Sequence, residues 1–196
     1  MKRSSLAVLV SVLVSTSALA QEAANAARLY SVRPHDSALV YHLKHKLHEV
    51  DGKAKPTEGK ARILPDGTLQ VAVRANVADF DSGNENRDAH MKEATEAAKF
   101  PTIEFKGVAA GVKVPTTFPS EQSVVLKGQL TFHGVKQPVE VPMKVVFTSD
   151  SDVTAEGKFN ISLEAHKVER PSLMMVKVDD ALELETKFQL KQEGKE

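Results

Sequence analysis

The sequence predicts an all-β protein: an eight-stranded antiparallel barrel with one helix inserted at about residues 84–99. Apolar and polar residues alternate along eight successive segments after residue 38, which is the pattern of half-buried strands. None of these segments is apolar on both faces, which argues against a parallel α/β sheet. Closing the strands into a barrel removes exposed sheet edges. An immunoglobulin-type sandwich is the alternative, but the mid-chain helix and the lack of Trp and Cys count against it.

The first 20 residues have the features of an export signal. Lys2 and Arg3 supply a basic start, residues 6–14 are apolar, and Ala18-Leu19-Ala20 fits the small-x-small cleavage pattern. The apolar stretch is short for a membrane-spanning helix. We therefore expect removal of residues 1–20 and a single domain over residues 21–196 with no integral membrane segment.

Composition narrows the location and the partners of this domain. Two of the 26 basic residues lie in the leader, so 24 basic side chains face 26 acidic ones in the rest of the chain. That balance predicts no nucleic-acid partner, although transient membrane contact stays open. The chain has no cysteine, unlike many small secreted domains that depend on disulfides. We expect a bacterial periplasmic location, with secretion into the medium as the alternative.

The strands follow one another with short connections. Asp51-Gly52 predicts a turn after the first strand, Pro65-Asp66-Gly67 a hairpin after the second, and residues 133–138 a connection between the fifth and sixth. In the first strand, Tyr41 and Leu43 share one face with His45. The predicted strands are residues 38–49, 53–64, 68–79, 102–114, 123–132, 139–147, 153–163 and 182–190.

Residues 80–105 form the one long interruption of the strand pattern. Ser82 followed by Glu85 fits a capping box, which predicts the start of a helix. Good helix formers continue to Lys99. Phe100-Pro101 should end the helix, because a residue before proline is pushed out of the helical region. The strand pattern then resumes at Thr102.

Metal and catalytic motifs are not apparent in the sequence. His42 and His48 lie about 20 Å apart on an extended strand, and His45 faces the other side, so the three cannot share one tetrahedral site. No G-x-S-x-G elbow, H-E-x-x-H pair or phosphate-binding glycine loop occurs. We predict no metal, no catalytic residue and no cofactor.

A small set of polar residues remains open to two interpretations. Arg87, Asp88 and His90 cluster at the predicted helix, where they are either solvent-exposed neighbours or groups at a barrel mouth that hold a ligand's polar end. His45 lies in an apolar row, so it is either a hydrogen-bonded core histidine or a polar contact in a ligand cavity. Patterning alone does not distinguish a filled barrel from a hollow one.

Two multi-residue motifs stand out, one at the predicted helix and one after it. The first is Arg87-Asp88-Ala89-His90-Met91 followed by Phe100-Pro101-Thr102-Ile103-Glu104-Phe105. The second is Gly128-Gln129-Leu130-Thr131-Phe132-His133-Gly134-Val135-Lys136-Gln137-Pro138-Val139. Both motifs resemble those of the YceI-like, polyisoprenoid-binding periplasmic family. With a start near Tyr30, the resemblance covers nearly all of the chain after the leader. Residues 35–45 and 171–175 depart from the common family pattern, which leaves the ligand's identity open.

The resemblance implies a lipocalin-like barrel that holds an amphiphilic isoprenoid-type lipid, either a polyisoprenoid or an isoprenoid quinone, and is not an enzyme. It also implies a set of polar groups that either lie at the barrel mouth or anchor the helix: His45, Arg87, Asp88 and His90. The alternatives are a filled, stress-protective barrel without ligand and an enzyme acting on lipid with His90 or His45 as base. The oligomeric state stays open, with a dimer among the options. The implied apolar lumen is Leu43, Val71, Val73, Phe80, Met91, Phe105, Leu130, Phe132, Met143, Phe159, Ile161, Met174, Met175, Leu184 and Phe188.

Overall fold

A computed structural model describes residues 27–46, 48–173 and 175–194. The predicted export signal lies outside these residues. Short 3-10 turns at Pro34–Asp36 and Val77–Asp79 bend the chain, and there is one α-helix in the described ranges, α1, at Glu85–Ala94. The strands are β1 Arg28–Val32, β2 Ala38–His45, β3 His48–Ala54, β4 Glu58–Ile63, β5 Leu69–Asn76, β6 Thr102–Ala109, β7 Ser120–Phe132, β8 Val135–Phe147, β9 Asp152–Ser162, β10 Ser172–Leu173, β11 Val176–Lys177 and β12 Ala181–Gln192.

The main sheet closes on itself as an eight-stranded antiparallel barrel, which confirms the predicted fold class. The ring runs β1-β4-β5-β6-β7-β8-β9-β12, and β12 returns to pair with β1. Beyond the bend at Pro34–Asp36, β2 takes over from β1 beside β12, and β3 pairs with β2 in the same way as β4 pairs with β1. The β2–β3 hairpin therefore extends the barrel wall at one end. The strand β1 is an addition to the sequence-based prediction.

The predicted turn at Asp51-Gly52 is wrong. β2 ends at His45 and β3 begins at His48, so both residues lie inside β3. Asp51 pairs with His42, and Gly52 pairs with Tyr41. A Cβ at position 52 would lie 2.2 Å from a ring carbon of Tyr41. Position 52 requires glycine because the Tyr41 ring of the neighbouring strand lies directly against its backbone, and not because the chain turns there.

The predicted connection at residues 133–138 is also wrong, because two residues suffice to turn the chain. His133 and Gly134 have positive φ angles of 50° and 71°, and β8 begins at the next residue. Two such residues form the hairpin turn that matches the natural twist of the strands. The Phe100 ring covers this turn, so a Cβ at Gly134 would lie 2.5 Å from the ring.

The helix occupies its predicted place but is shorter than the predicted residues 84–99. Its N-cap is Asn84, not Ser82: the Asn84 side chain accepts the Arg87 N–H at 3.1 Å. The helix ends where the Thr95 hydroxyl donates to the Met91 carbonyl at 2.7 Å and Glu96 takes a positive φ of 44°. Tight turns carry the chain from there to Pro101.

Strands β8 and β9 separate towards the α1 end of the barrel. They pair only between Met143–Phe147 and Val153–Gly157, so residues 135–142 of β8 and 158–162 of β9 have no ladder between them. We call this gap the seam. Pro138 and Pro142, which lack a backbone N–H, both lie in its β8 side, where no donor is required. Residues 163–171, which we call the strap, follow β9 beside the seam.

Candidate functional site: an apolar lumen in two chambers

The interior of the barrel contains an elongated apolar cavity of about 150 Å³, which we call the inner chamber. Every strand of the closed ring contributes to its wall. The end far from α1 is tightly packed: Tyr30 and Phe147 are only 2% and 1% exposed. Beyond them, Arg28 and Asp150 form an ion pair at 2.9 Å. The inner chamber is therefore closed at that end.

Several apolar side chains around the inner chamber are only half-buried. Val71, Val73, Phe105, Phe159 and Phe188 all line the inner chamber, yet each retains accessible surface. In a filled core such residues would touch neighbours on every side. Phe159 and Phe188 border only the inner chamber, whereas Val71, Val73 and Phe105 also border grooves on the outer face. The cavity itself is therefore the evidence that the lumen is hollow.

A second cavity of about 240 Å³, the mouth chamber, lies under α1. The helix contributes Arg87, His90 and Met91 to its wall, and β2 contributes Tyr41 and Leu43. Burial raises the pKa of the Tyr41 phenol, which keeps this group neutral. The two chambers adjoin, because both are lined by Phe80, Ile103, Leu130 and Leu184.

The helix is held over the mouth chamber by its own N-terminal loop. The Asp88 carboxylate accepts the Ser82 N–H at 3.0 Å. Hydrogen bonding to Ser82 holds the pKa of Asp88 below its usual value. Arg87 donates to the Ser82 carbonyl at 2.9 Å and to its hydroxyl at 3.3 Å. Asp88 thus holds the loop and lines neither chamber. Arg87 holds the loop and also lines the mouth chamber.

Two buried histidines fasten the strap to the β7–β8 turn. The His166 ring is 1% exposed, and its Nδ1 lies 3.3 Å from the Phe132 carbonyl and 3.2 Å from the Val135 carbonyl. Burial lowers the pKa of His166, which favours the neutral ring. His133 Nδ1 lies 3.1 Å from the His166 carbonyl, and its Nε2 lies 2.8 Å from Glu96. Side-chain bonds thus replace the missing ladder beside the seam.

The sequence indicated neither the strap nor the two histidines that fasten it as functional features. His133 stands inside the second family motif, but nothing in its neighbourhood predicts contact with the turn after α1. His166 lies in a segment that has no regular pattern. Their roles depend on contacts across 33 and 37 positions of the chain, as in His133 to His166 and His133 to Glu96. Local sequence does not encode such contacts.

The structure brings most of the predicted lumen residues to the two chambers, and their role in ligand binding stays a prediction. Among the polar candidates, Arg87 and His90 line the mouth chamber. His45 is buried outside both, with Nε2 3.1 Å from the Val176 carbonyl. The placement of Met175 in the lumen is wrong, because its side chain is fully exposed. Met174 lies outside the described residues. The predicted residues that line the inner chamber are Val71, Val73, Phe105, Met143, Phe159 and Phe188. Those that line the mouth chamber are Leu43, Met91, Phe132 and Ile161. Both chambers are lined by Phe80, Leu130 and Leu184.

None of the helices in the described ranges has both the length and the apolar character needed to cross a membrane.

Comparison with known proteins agrees with this architecture. A polyisoprenoid-binding domain from Saccharophagus degradans, implicated in plant cell wall breakdown, superposes with a TM-score of 0.66 at 15% identity, over 83% of this chain and 98% of that one. BcnA of Burkholderia cenocepacia gives a TM-score of 0.64 at 19% identity, over 81% and 98%. No curated protein matches the sequence. The sequence model of the YceI-like domain matches residues 30–190, and the chain belongs to that family.

Proposed function

We propose that this protein binds an amphiphilic isoprenoid-type lipid, a polyisoprenoid or an isoprenoid quinone, and carries it through the periplasm. The single observation that carries the proposal is the hollow, apolar, two-chamber lumen. Membership of the YceI-like family supports it, as does the fold shared with a polyisoprenoid-binding domain. The leader at residues 1–20 supports the periplasmic part.

The lumen supplies the binding energy through burial of apolar surface. At about 25 cal/mol per Å², placing 300 Å² of a lipid tail in the chambers contributes roughly 7 kcal/mol before the cost of ordering the tail. The inner chamber offers that tail almost no polar group. Met91 and Met143 line the two chambers with flexible side chains that adapt to a ligand's shape. Such a site selects for apolar chains.

The chemistry of the two chambers orients the lipid. The inner chamber is closed at its far end by Tyr30 and Phe147. The polar groups Arg87 and His90 lie only in the mouth chamber. We therefore place the tail in the inner chamber and the polar head under α1, where it remains near water.

The filled-barrel alternative conflicts with the two apolar cavities inside the barrel. The enzyme alternative depends on His45 or His90 as the base. Of the two bases considered in an enzyme, His45 is occupied by the Val176 carbonyl outside the chambers. His90 lies at the mouth, and no hydrogen bond or ion pair among the described residues joins it to a second catalytic group. A binding role requires neither residue to react.

Native mass spectrometry and solvent extraction of the purified protein test the proposal. We expect a co-purified lipid, or uptake of an added isoprenoid quinone in a one-to-one complex. A hydrocarbon of equal length without a polar head group serves as the comparison. It tests whether the mouth chamber contributes to binding by contacting the head group. If no lipid is extracted and no added quinone binds, the carrier function is refuted. Fractionation of the native host, with detection of the chain lacking residues 1–20 in the periplasm, tests the location.

A further inference from the structure

The outer face of the β2–β3 hairpin carries a cluster of metal-ligating side chains that the lumen does not use. His42 on β2 stands directly across from Asp51 on β3, and its Nδ1 lies 2.7 Å from Asp51 Oδ1. Glu49 lies two residues before Asp51 and therefore on the same face of β3. One ligand atom from each of these three side chains lies within 4.8 Å of the others.

The second ring nitrogen of His42 provides an independent observation. His42 Nε2 is buried and has no hydrogen-bond partner among the described residues. The carboxylate of Glu185, on the neighbouring strand β12, lies 3.6 Å away, beyond hydrogen-bonding distance. The imidazole is therefore placed between carboxylates on both sides, with one nitrogen unsatisfied. A buried polar atom without a partner is costly and usually has an explanation.

We propose that His42, Glu49 and Asp51 bind a divalent transition-metal ion of the Zn²⁺ class, with Glu185 adjusting towards the His42 ring. One imidazole nitrogen with two carboxylates is a ligand set that suits Zn²⁺ and its first-row neighbours, whereas Ca²⁺ and Mg²⁺ prefer oxygen alone. Lys44 pairs directly across from Glu49, and Lys158 interacts electrostatically with Glu49 and Glu185. Lysines thus already offset part of the carboxylate charge, and the proposal rests on the geometry and chemistry of the ligand set. The site is distinct from the His42, His45 and His48 combination, which strand geometry forbids.

The strand ladder positions these ligands before any ion arrives. Cross-strand pairing fixes His42 opposite Asp51, so binding needs only rotations of side chains that are partly exposed: the Asp51 and Glu185 carboxylates are 52% and 55% exposed. Small adjustments are enough to open the 2.7 Å contact to the spacing of two ligands on one ion. A water-filled fourth position and exposed carboxylates predict micromolar affinity, weaker than a buried structural zinc site.

The ion would act on the wall of the mouth chamber. The opposite face of the same hairpin presents Tyr41, Leu43 and Val50 to that chamber. A metal that joins β2 to β3 makes separation of the two strands less favourable and so makes this wall more rigid. The metal site itself does not depend on the proposed lipid, so either can fail without the other.

Isothermal titration calorimetry with ZnCl₂ tests the site, using the tag-free chain without residues 1–20 after removal of metal by chelator. We expect one site in the micromolar range. His42→Gln and Glu49→Gln should each weaken binding at least about tenfold, because each removes one of three ligands. His35→Gln is the matched control, since His35 is exposed and lies outside the cluster. It should bind as the unmodified chain does.

A second measurement guards against misfolded variants. Circular dichroism should show the same strand content for all three variants, and millimolar Zn²⁺ should raise the melting temperature of the unmodified chain and of His35→Gln only. Absence of a Zn²⁺ signal in the unmodified chain would overturn the proposal. So would equal affinity in His42→Gln and the unmodified chain.

Discussion

Replacing Val73 by Trp tests whether the lumen is empty and whether it binds the ligand. Val73 lies at the middle of β5, points into the inner chamber and is only half-buried. A larger side chain at this position grows into empty space. It should therefore occupy the volume that a lipid tail needs without displacing neighbouring residues.

The size of the chamber sets the expected stability. Cavities cost roughly 24 cal/mol per Å³, so an empty chamber of about 150 Å³ carries roughly 3–4 kcal/mol that a filling side chain recovers in part. The conformational entropy lost when one large side chain is fixed on folding offsets part of this gain in stability. We expect Val73→Trp to be within about 1 kcal/mol of the unmodified protein, or more stable. Leu130→Trp should instead cost about 1–3 kcal/mol, because Leu130 is 3% exposed and already packed.

Urea unfolding followed by circular dichroism measures the stability, and quinone titration measures the binding. The chain contains no Trp, so the new residue is also the sole indole fluorophore and its emission reports its surroundings. Ala72→Trp is the matched control, because Ala72 is the adjacent residue on the exposed outer face. It should bind lipid normally and emit as an exposed indole. The reasoning is refuted if Val73→Trp destabilises as much as Leu130→Trp, or binds quinone with unchanged affinity.

Three further outcomes follow from the contacts. Asn84→Ala should cost about 1 kcal/mol in urea unfolding, since Asn84 caps α1, whereas Ser82→Ala should cost less; a larger loss at Ser82 would contradict the observed cap. Because burial lowers the pKa of His166 in the folded state, the unfolded chain takes up its proton at higher pH, so unfolding free energy should fall as pH drops below the usual value of 6.5. That dependence should be weaker in His166→Asn and unchanged in His35→Asn; equal slopes in all three proteins would exclude His166 as its source. Gln137→Leu removes the bond to the Ala165 carbonyl at 2.8 Å and should speed amide exchange across the strap, with global stability nearly unchanged; protection equal to the unmodified chain would show that the strap does not rely on this bond.

The predicted elements that failed did so for identifiable reasons. Asp51-Gly52 has the composition of a turn, but its glycine makes room for the Tyr41 ring on the opposite strand. Ser82 and Glu85 fit a capping box, yet Asn84 lies nearer the first helical residue and forms the cap. In each case a local signal was correct about the type of residue required. Contact with a distant or competing group decided how the residue was used.

Strand alternation by itself determined the fold class, because a two-residue period buries one face of each strand wherever the partner strand lies. It also placed most lumen residues on inward faces, and the motifs at residues 87–105 and 128–139 indicated the family. Only the tertiary structure decided that the barrel is hollow, since inward-facing residues have the same pattern whether they meet side chains or empty space. It also decided that His42 meets Asp51 and that His166 closes the seam, because such contacts depend on strand register and loop packing between positions far apart in the chain.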